Sequence, residues 1–247
     1  MAWTGLMPRR QKAKPRIPAG TRVYAVGDVH GRADLLSLVL ARIDEDIKIR
    51  PTAQPVQVFL GDYIDRGPDS RRVLDLLIAR NHKDTTVFLK GNHELYASEV
   101  LSDHSVVAEW LRMGGIPTLL SYGVKPSAGA DPKADEDTAI AFGYALPDSH
   151  RRFLHGLALS FTCGDFFFVH AGVRPGIALQ QQWQQDLIWI RDDFLLHEDD
   201  FGKIVVHGHT PAREPDVRPN RINIDTGAYA TGRLTCLVLE GDQMRFL

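Results

Sequence analysis

Short apolar runs rich in β-branched and aromatic residues recur at positions 22–26, 55–60, 85–89, 165–169 and 203–206, and each runs straight into a polar cluster. Between the first two, Leu35, Leu36, Val39, Leu40 and Ile43 fall at helical spacing, which predicts a helix over 33–47. A second helix is predicted over 70–79, with Val73, Leu74, Leu77 and Ile78 on one face. Strand, polar loop, helix and strand repeating at about thirty residues is the arithmetic of a βαβ unit with parallel pairing. The first half is therefore expected to be α/β, and in such sheets ligands bind beyond the carboxyl ends of the strands. The polar clusters lie there.

From 94 to about 152 the pattern turns mostly helical, interrupted by Gly114, Gly115 and Pro117 and by a Pro-, Ala-, Gly- and Asp-rich stretch over 125–137. We read this part, about 95–155, as a helical cap carrying a mobile loop. Residues 220–247 alternate β-favouring runs, at 222–224 and 234–239, with glycine turns, so a second group of strands is expected there. No internal repeat is visible. The length fits one domain over 21–247.

The first twenty residues carry Arg9, Arg10, Lys12, Lys14 and Arg16 among three prolines, with no apolar run behind them. That pattern predicts a disordered basic arm over 1–20 rather than a signal peptide. No later segment has the apolar length of a membrane span, so no membrane partner is expected. Twenty-nine Lys and Arg against 31 Asp and Glu leave a formal charge of -2, which argues against nucleic acid as a partner. The two cysteines, Cys163 and Cys236, each sit in an apolar run, as free thiols do in a reducing, cytoplasmic compartment.

Five clusters carry the chemistry: Gly27-Asp28-Val29-His30-Gly31, Gly61-Asp62-Tyr63-Ile64-Asp65-Arg66-Gly67, Gly91-Asn92-His93-Glu94, His170-Ala171-Gly172 and His207-Gly208-His209. Singly each reads as a turn or a structural histidine. Together they supply oxygen and nitrogen ligands from five strand ends. Asp28, His30, Asp62, Asn92, His170 and His209 suffice for two divalent ions sharing one carboxylate. Mixed imidazole and carboxylate ligation favours manganese, with iron or zinc as alternatives, over calcium or magnesium.

At these motifs the chain resembles the phosphoprotein phosphatases, whose pattern Gly-Asp-x-His-Gly, Gly-Asp-x-x-Asp-Arg-Gly, Gly-Asn-His-Glu stands here in order. The likeness runs from Tyr24 to Leu239. It is nearest to the small bacterial and phage protein phosphatases, through Trp189-Ile190-Arg191, His207-Gly208-His209-Thr210-Pro211 and Ile224-Asp225-Thr226-Gly227-Ala228. It implies the calcineurin-like metallophosphoesterase fold, an α/β sandwich of two mixed β-sheets flanked by helices. It also implies that Asp28 and His30 ligate one ion, Asp62 bridges, and Asn92, His170 and His209 ligate the other, with His207 a structural neighbour. Arg66 and Arg191 would hold phosphoryl oxygens, with Asn92 at the substrate as well as at a metal. His93, oriented by Asp65, would be the general acid.

The competing readings are a surface ion pair for Arg191 and a helix cap for Asp65, although Asp69 and Ser70 are better placed to cap the helix that follows. The expected activity is hydrolysis of phosphomonoesters by two-metal-activated hydroxide, with phosphorylated Ser or Thr in a protein or peptide as substrate, or else a small phosphate ester. The alternative is a symmetrical bis(5'-nucleosyl)-tetraphosphatase. A nuclease of the wider group is disfavoured by Arg66 and Glu94, and a catalytically inactive scaffold by the complete ligand set. The sequence implies no particular oligomeric state.

Overall fold

The computed structural model describes residues 14–81, 85–127 and 132–247. Strand β1 (Thr21–Val26) leads into helix α1 (Ala33–Ile49), β2 (Gln54–Phe59), α2 (Ser70–Arg80) and β3 (Thr85–Phe88). The three strands are parallel, in the order β1, β2, β3, as two successive βαβ units require. On the far side of β1 the chain's later strands β9 (Cys236–Glu240) and β10 (Gln243–Phe246) add antiparallel, giving the order β10-β9-β1-β2-β3. The second sheet has the order β4-β5-β6-β8-β7, built from β4 (Ser160–Cys163), β5 (Phe166–Val169), β6 (Ile204–His207), β7 (Asp216–Val217) and β8 (Arg221–Asn223). Both sheets are mixed, as the resemblance implied.

Alternation along the strands explains the layering. In β1, Val23 and Ala25 face the second sheet and meet Phe166, Phe168, Val206 and Ile222 in a dry interlayer. Tyr24 and Val26 face the other way, into a core with Leu36, Leu40 and Ile43 of α1 and Val73, Leu74 and Leu77 of α2. Phe167 and Val169 of β5 likewise turn outward, against Leu187 and Ile188 of α8 (Gln184–Trp189) and Phe194 of α9 (Asp192–Leu195). Strands buried on both faces read as continuous apolar runs, and so these do.

The cap comprises α3 (Asn92–Glu99), α4 (Val107–Trp110), a wide π-type turn at Leu111–Gly115, α5 (Ile116–Ser121), α6 (Pro132–Ala145) and α7 (Asp148–His155). Two expectations change. The loop anticipated over 125–137 gives way to α6 at Pro132, since proline is accommodated in a first helical turn, where its missing N–H costs nothing. Residues 128–131 lie outside the described residues. Ile17, within the arm anticipated over 1–20, is instead ordered: it is 2% exposed within the interlayer, and its N–H donates to the Gly241 carbonyl at 2.8 Å. Of that arm, residues 1–13 lie outside the described residues. Among the described residues no helix is long and apolar enough to cross a membrane, and Cys163 and Cys236 are unbridged.

Candidate active site

The carboxyl ends of β1, β2, β3, β5 and β6 converge on one edge of the sandwich, and each delivers its polar cluster there. Asp28, His30, Asp62, Asn92, His170 and His209 are all buried. His170 Nε2 lies 3.3 Å from Asp62 Oδ1, 3.1 Å from Asn92 Oδ1 and 3.2 Å from His209 Nδ1, which is itself 3.0 Å from Asn92 Oδ1. His30 Nε2 lies 3.4 Å from the other oxygen of Asp62. Asp62 therefore stands between two clusters, His30 on one side and His170 with His209 on the other.

The local chain is shaped for this. His30, Asp62, Asp65, Arg66 and His209 all take left-handed backbone angles, φ between 45° and 71°, which are uncommon outside glycine. The sharp turn at Asp62 is held by Glu94, whose buried carboxylate accepts the N–H groups of Asp62, Tyr63, Ile64 and Gly91 at 2.7–3.3 Å. A Cβ on Gly91 would overlap the Asp62 carboxylate, so the two turns can pack this closely only with glycine there. Burial, then the Asp62 charge, push the Glu94 carboxyl up to about 8, against the Tyr63 and Gly91 amides, which lower it.

The donor set fits a pair of cations. Nδ1 of His170 donates to the Leu60 carbonyl and Nδ1 of His30 to the Ile64 carbonyl, both at 2.9 Å, so each Nε2 carries its lone pair toward a carboxylate oxygen. Lone pairs that face one another across about 3 Å repel unless a cation stands between them. Burial pushes His30 down to about 3 and His209 to about 2, and lowers His170, so the rings are neutral and able to offer a lone pair to a cation. Asp28 Oδ1 is buried with no donor among the described residues, while Oδ2 accepts the His209 N–H at 2.9 Å. Burial, then the Asp225 and Asp62 charges, raise the Asp28 carboxyl well above its usual range, a concentration of negative charge that a cation relieves.

His93 sits beside this cluster, with Nε2 3.9 Å from Asp62 Oδ2. Its Nδ1 donates to Asp65 Oδ2 at 2.7 Å, as the resemblance implied. Burial opposes the imidazolium, but Asp62 and the hydrogen-bonded Asp65 outweigh it and raise His93 above the ordinary histidine value. Arg66 Nη2 lies 3.2 Å from His93 Nε2, so guanidinium and imidazole address the same point. The helix-cap alternative for Asp65 does not hold: Asp69 caps α2 by accepting the Arg72 N–H. Arg191 is exposed beside the site, with Nη1 3.5 Å from Thr210 Oγ1 and no ion-pair partner among the described residues. His207 is buried against Phe194 rather than in the ligand cluster.

Four residues at the site carried no role in the sequence reading. Asp225 lies against Asp28, and burial raises its carboxyl to about 6. Tyr229, on α10 (Ala228–Thr231), places its ring 5.1 Å from the Arg66 guanidinium and 5.4 Å from His30. Trp110 and Thr118 reach Asp65 from the cap. The quoted Ile224–Ala228 motif was the only signal for Asp225, and a lone tryptophan and threonine gave none.

The chain is similar to several known proteins. Over 86% of its length the chain is 25% identical to the asymmetrical bis(5'-nucleosyl)-tetraphosphatase PrpE of Anoxybacillus flavithermus, covering 88% of that protein. It is 24% identical to the protein of the same name from Halalkalibacterium halodurans, covering 86% of this chain and 87% of that one. Among solved structures, a protein provisionally named a diadenosine tetraphosphatase superposes with a TM-score of 0.63 at 18% identity, covering 95% of this chain and 98% of the other. The cold-active protein tyrosine phosphatase of a Shewanella species does so at 0.58 and 17%, covering 94% and 80%. These structures share the fold. Residues 21–236 match the calcineurin-like phosphoesterases, and the chain belongs to that family of hydrolases, which use a dinuclear metal centre.

Proposed function

We propose that the protein hydrolyses phosphomonoesters of alcohols, with phosphorylated Ser or Thr in a cytoplasmic protein or peptide as the substrate. The observation that carries this reading is the buried Asp65–His93 pair beside Arg66. An alkoxide leaves poorly without a proton, and a positioned imidazolium supplies one. When bound, the two cations, for which we propose manganese, supply Lewis acidity and neutralise phosphoryl charge. Asp28, His30 and Asp62 would hold one and Asp62, Asn92, His170 and His209 the other. Arg66 and Arg191 grip the phosphoryl oxygens, since a guanidinium fork matches them and keeps its charge. As the bond from phosphorus to the ester oxygen breaks, the proton on His93 Nε2 passes to that oxygen, while Asp65 stabilises the ring through Nδ1. Water is the nucleophile, so no serine need form a covalent intermediate.

The second reading, favoured by the name of the PrpE relatives, is cleavage of a dinucleoside tetraphosphate, whose anhydride leaving group needs the proton less. The test is a side-by-side assay of a phosphoserine peptide and diadenosine tetraphosphate with the manganese-loaded protein. A kcat/KM higher by about tenfold or more on the peptide, one decade or 1.4 kcal/mol, supports the first reading. The reverse order overturns it in favour of the second. Chromatography of the nucleotide products then separates symmetrical cleavage, giving two ADP, from asymmetrical cleavage, giving ATP and AMP.

A further inference from the structure

The Asp65 side chain is fully buried and takes hydrogen bonds from three side chains, of which only His93, at the start of α3, belongs to the sequence motifs. The other two come from α4 and α5, deeper in the cap. Trp110 Nε1 donates to Oδ2 at 2.9 Å, the same oxygen that His93 Nδ1 meets, and Thr118 Oγ1 donates to Oδ1 at 2.5 Å. Thr118 Oγ1 also accepts the Asp65 N–H at 2.9 Å, and lies 2.8 Å from Ser70 Oγ. Thr118 has one hydroxyl proton and the carboxylate can only accept it, so Ser70 must donate to Thr118. The bonds form a closed set with a single direction.

The turn joining α4 to α5 brings the cap this near. Gly114, at φ 115°, accepts the Arg66 N–H through its carbonyl at 3.0 Å, and a Cβ there would stand 2.9 Å from Arg66 Cγ. A Cβ on Gly115 would stand 2.7 Å from the Trp110 indole. The paired glycines that interrupt the helical pattern thus let the indole and the Arg66 backbone share one turn. Trp110 is itself packed against Phe142 of α6, with ring centroids 5.1 Å apart.

A carboxylate held by one partner swings about its terminal torsion, whereas donors fixed on both oxygens set its plane. We propose that Trp110 and Thr118 are positioning residues for the general acid. From the cap they fix the plane of Asp65, and through it the direction in which His93 Nε2 points at the leaving oxygen. The inference rests on the general-acid reading of His93 and adds that the acid is aimed by the cap.

The test uses the manganese-loaded full chain with two aryl substrates: phenyl phosphate, whose leaving group needs a proton, and 2,4-dinitrophenyl phosphate, whose leaving group does not. Trp110→Phe and Thr118→Val should lower kcat on phenyl phosphate about tenfold, the usual worth of an orienting partner, with KM little changed. On dinitrophenyl phosphate the loss should stay under about threefold, because proton donation contributes little there. Thr118→Ser, which keeps the hydroxyl, should restore the phenyl phosphate rate. Tyr122→Phe, which loosens the same cap without touching Asp65, should leave the ratio of the two rates unchanged. A readout independent of turnover is the Trp110 indole N–H resonance, which Asp65→Asn should move in the metal-free protein.

His93→Ala separates the two levels of inference, with an expected loss of about 10² to 10⁴ on phenyl phosphate and much less on the dinitrophenyl ester. If it shows that selectivity while Trp110→Phe and Thr118→Val lose both substrates equally, or neither, the positioning role is overturned and the general acid stands. If His93→Ala shows no selectivity, the general-acid reading falls and this inference with it. Should Trp110→Phe fail to fold, the Val and Ser variants of Thr118 decide the matter.

Discussion

The left-handed residues His30, Asp62, Asp65, Arg66 and His209 are the only non-glycine residues of positive φ among those described. Each such conformation costs about 1–3 kcal/mol and persists only where its surroundings over-determine it. At Asp62 the surroundings are the Glu94 carboxylate and the close approach of Gly91. That turn presents one Asp62 oxygen to His170 and the other to His30, the placement that the proposed bridging role requires. Asp62→Asn should therefore weaken both metal sites, whereas Asp28→Asn should weaken one; calorimetric titration with manganese counts them, and two tight sites in Asp62→Asn would refute the bridge. Arg191, exposed and unpaired by any acid among the described residues, should act on substrate alone. Arg191→Ala should raise KM and lower kcat/KM by about one to two decades, the worth of a charge-assisted bond, with metal content unchanged; unaltered kinetics would leave it a surface residue. The clustering of the six candidate ligands was legible because each lies just past a strand end. The work of Glu94 was not, because its acceptor role depends on backbone amides some thirty residues earlier that its own motif does not contain.

A polar chain links α5 and α7 of the cap to α2. Tyr122, closing α5, donates through its hydroxyl to His150 Nδ1 of α7 at 2.7 Å, and His150 Nε2 donates to Asp75 Oδ1 of α2 at 3.0 Å. Burial, against the Asp75 charge, lowers His150 below the ordinary histidine value. A base whose folded pKa is depressed gives full stability above its unfolded pKa of about 6.5 and loses it as pH falls toward the folded value, because the unfolded chain takes the proton first. The melting temperature should accordingly fall on acidification below about pH 6.5, and His150→Gln should flatten that slope. An identical slope in the variant would show that His150 carries none of it. Elements of strong period were readable here: α1, expected over 33–47, runs from Ala33 to Ile49. Strand β4 gave no such signal, being four residues long and mostly half-exposed, and α6 was hidden because its first residue is a proline in a stretch of loop-like composition.

Across the whole molecule, Asp28, His30, Asp62 and Asn92 follow strands of one sheet, while His170 and His209 follow strands of the other. Cations held by this set would join the two sheets at their shared edge, as a clasp joins two covers. A ligand at one hundred times its Kd that binds only the native state adds about 2.7 kcal/mol, and in a chain of this size that corresponds to a rise of roughly 5–10 °C in Tm. Scanning calorimetry with manganese and with chelator should show this difference, and coincident transitions would rule out the clasp. A separate consequence follows from the place of β1 between β2 and β9, with Arg22 opposite Glu240. Neighbours in that sheet are separated by more than two hundred positions in the chain, so its central strand keeps a bare edge until residues 236–240 arrive. Long-range pairing of this kind slows folding and prolongs the exposure of an unpaired edge. During synthesis, the strand that leads into Asp28 and His30 leaves the ribosome more than two hundred residues ahead of the strand that shelters its edge.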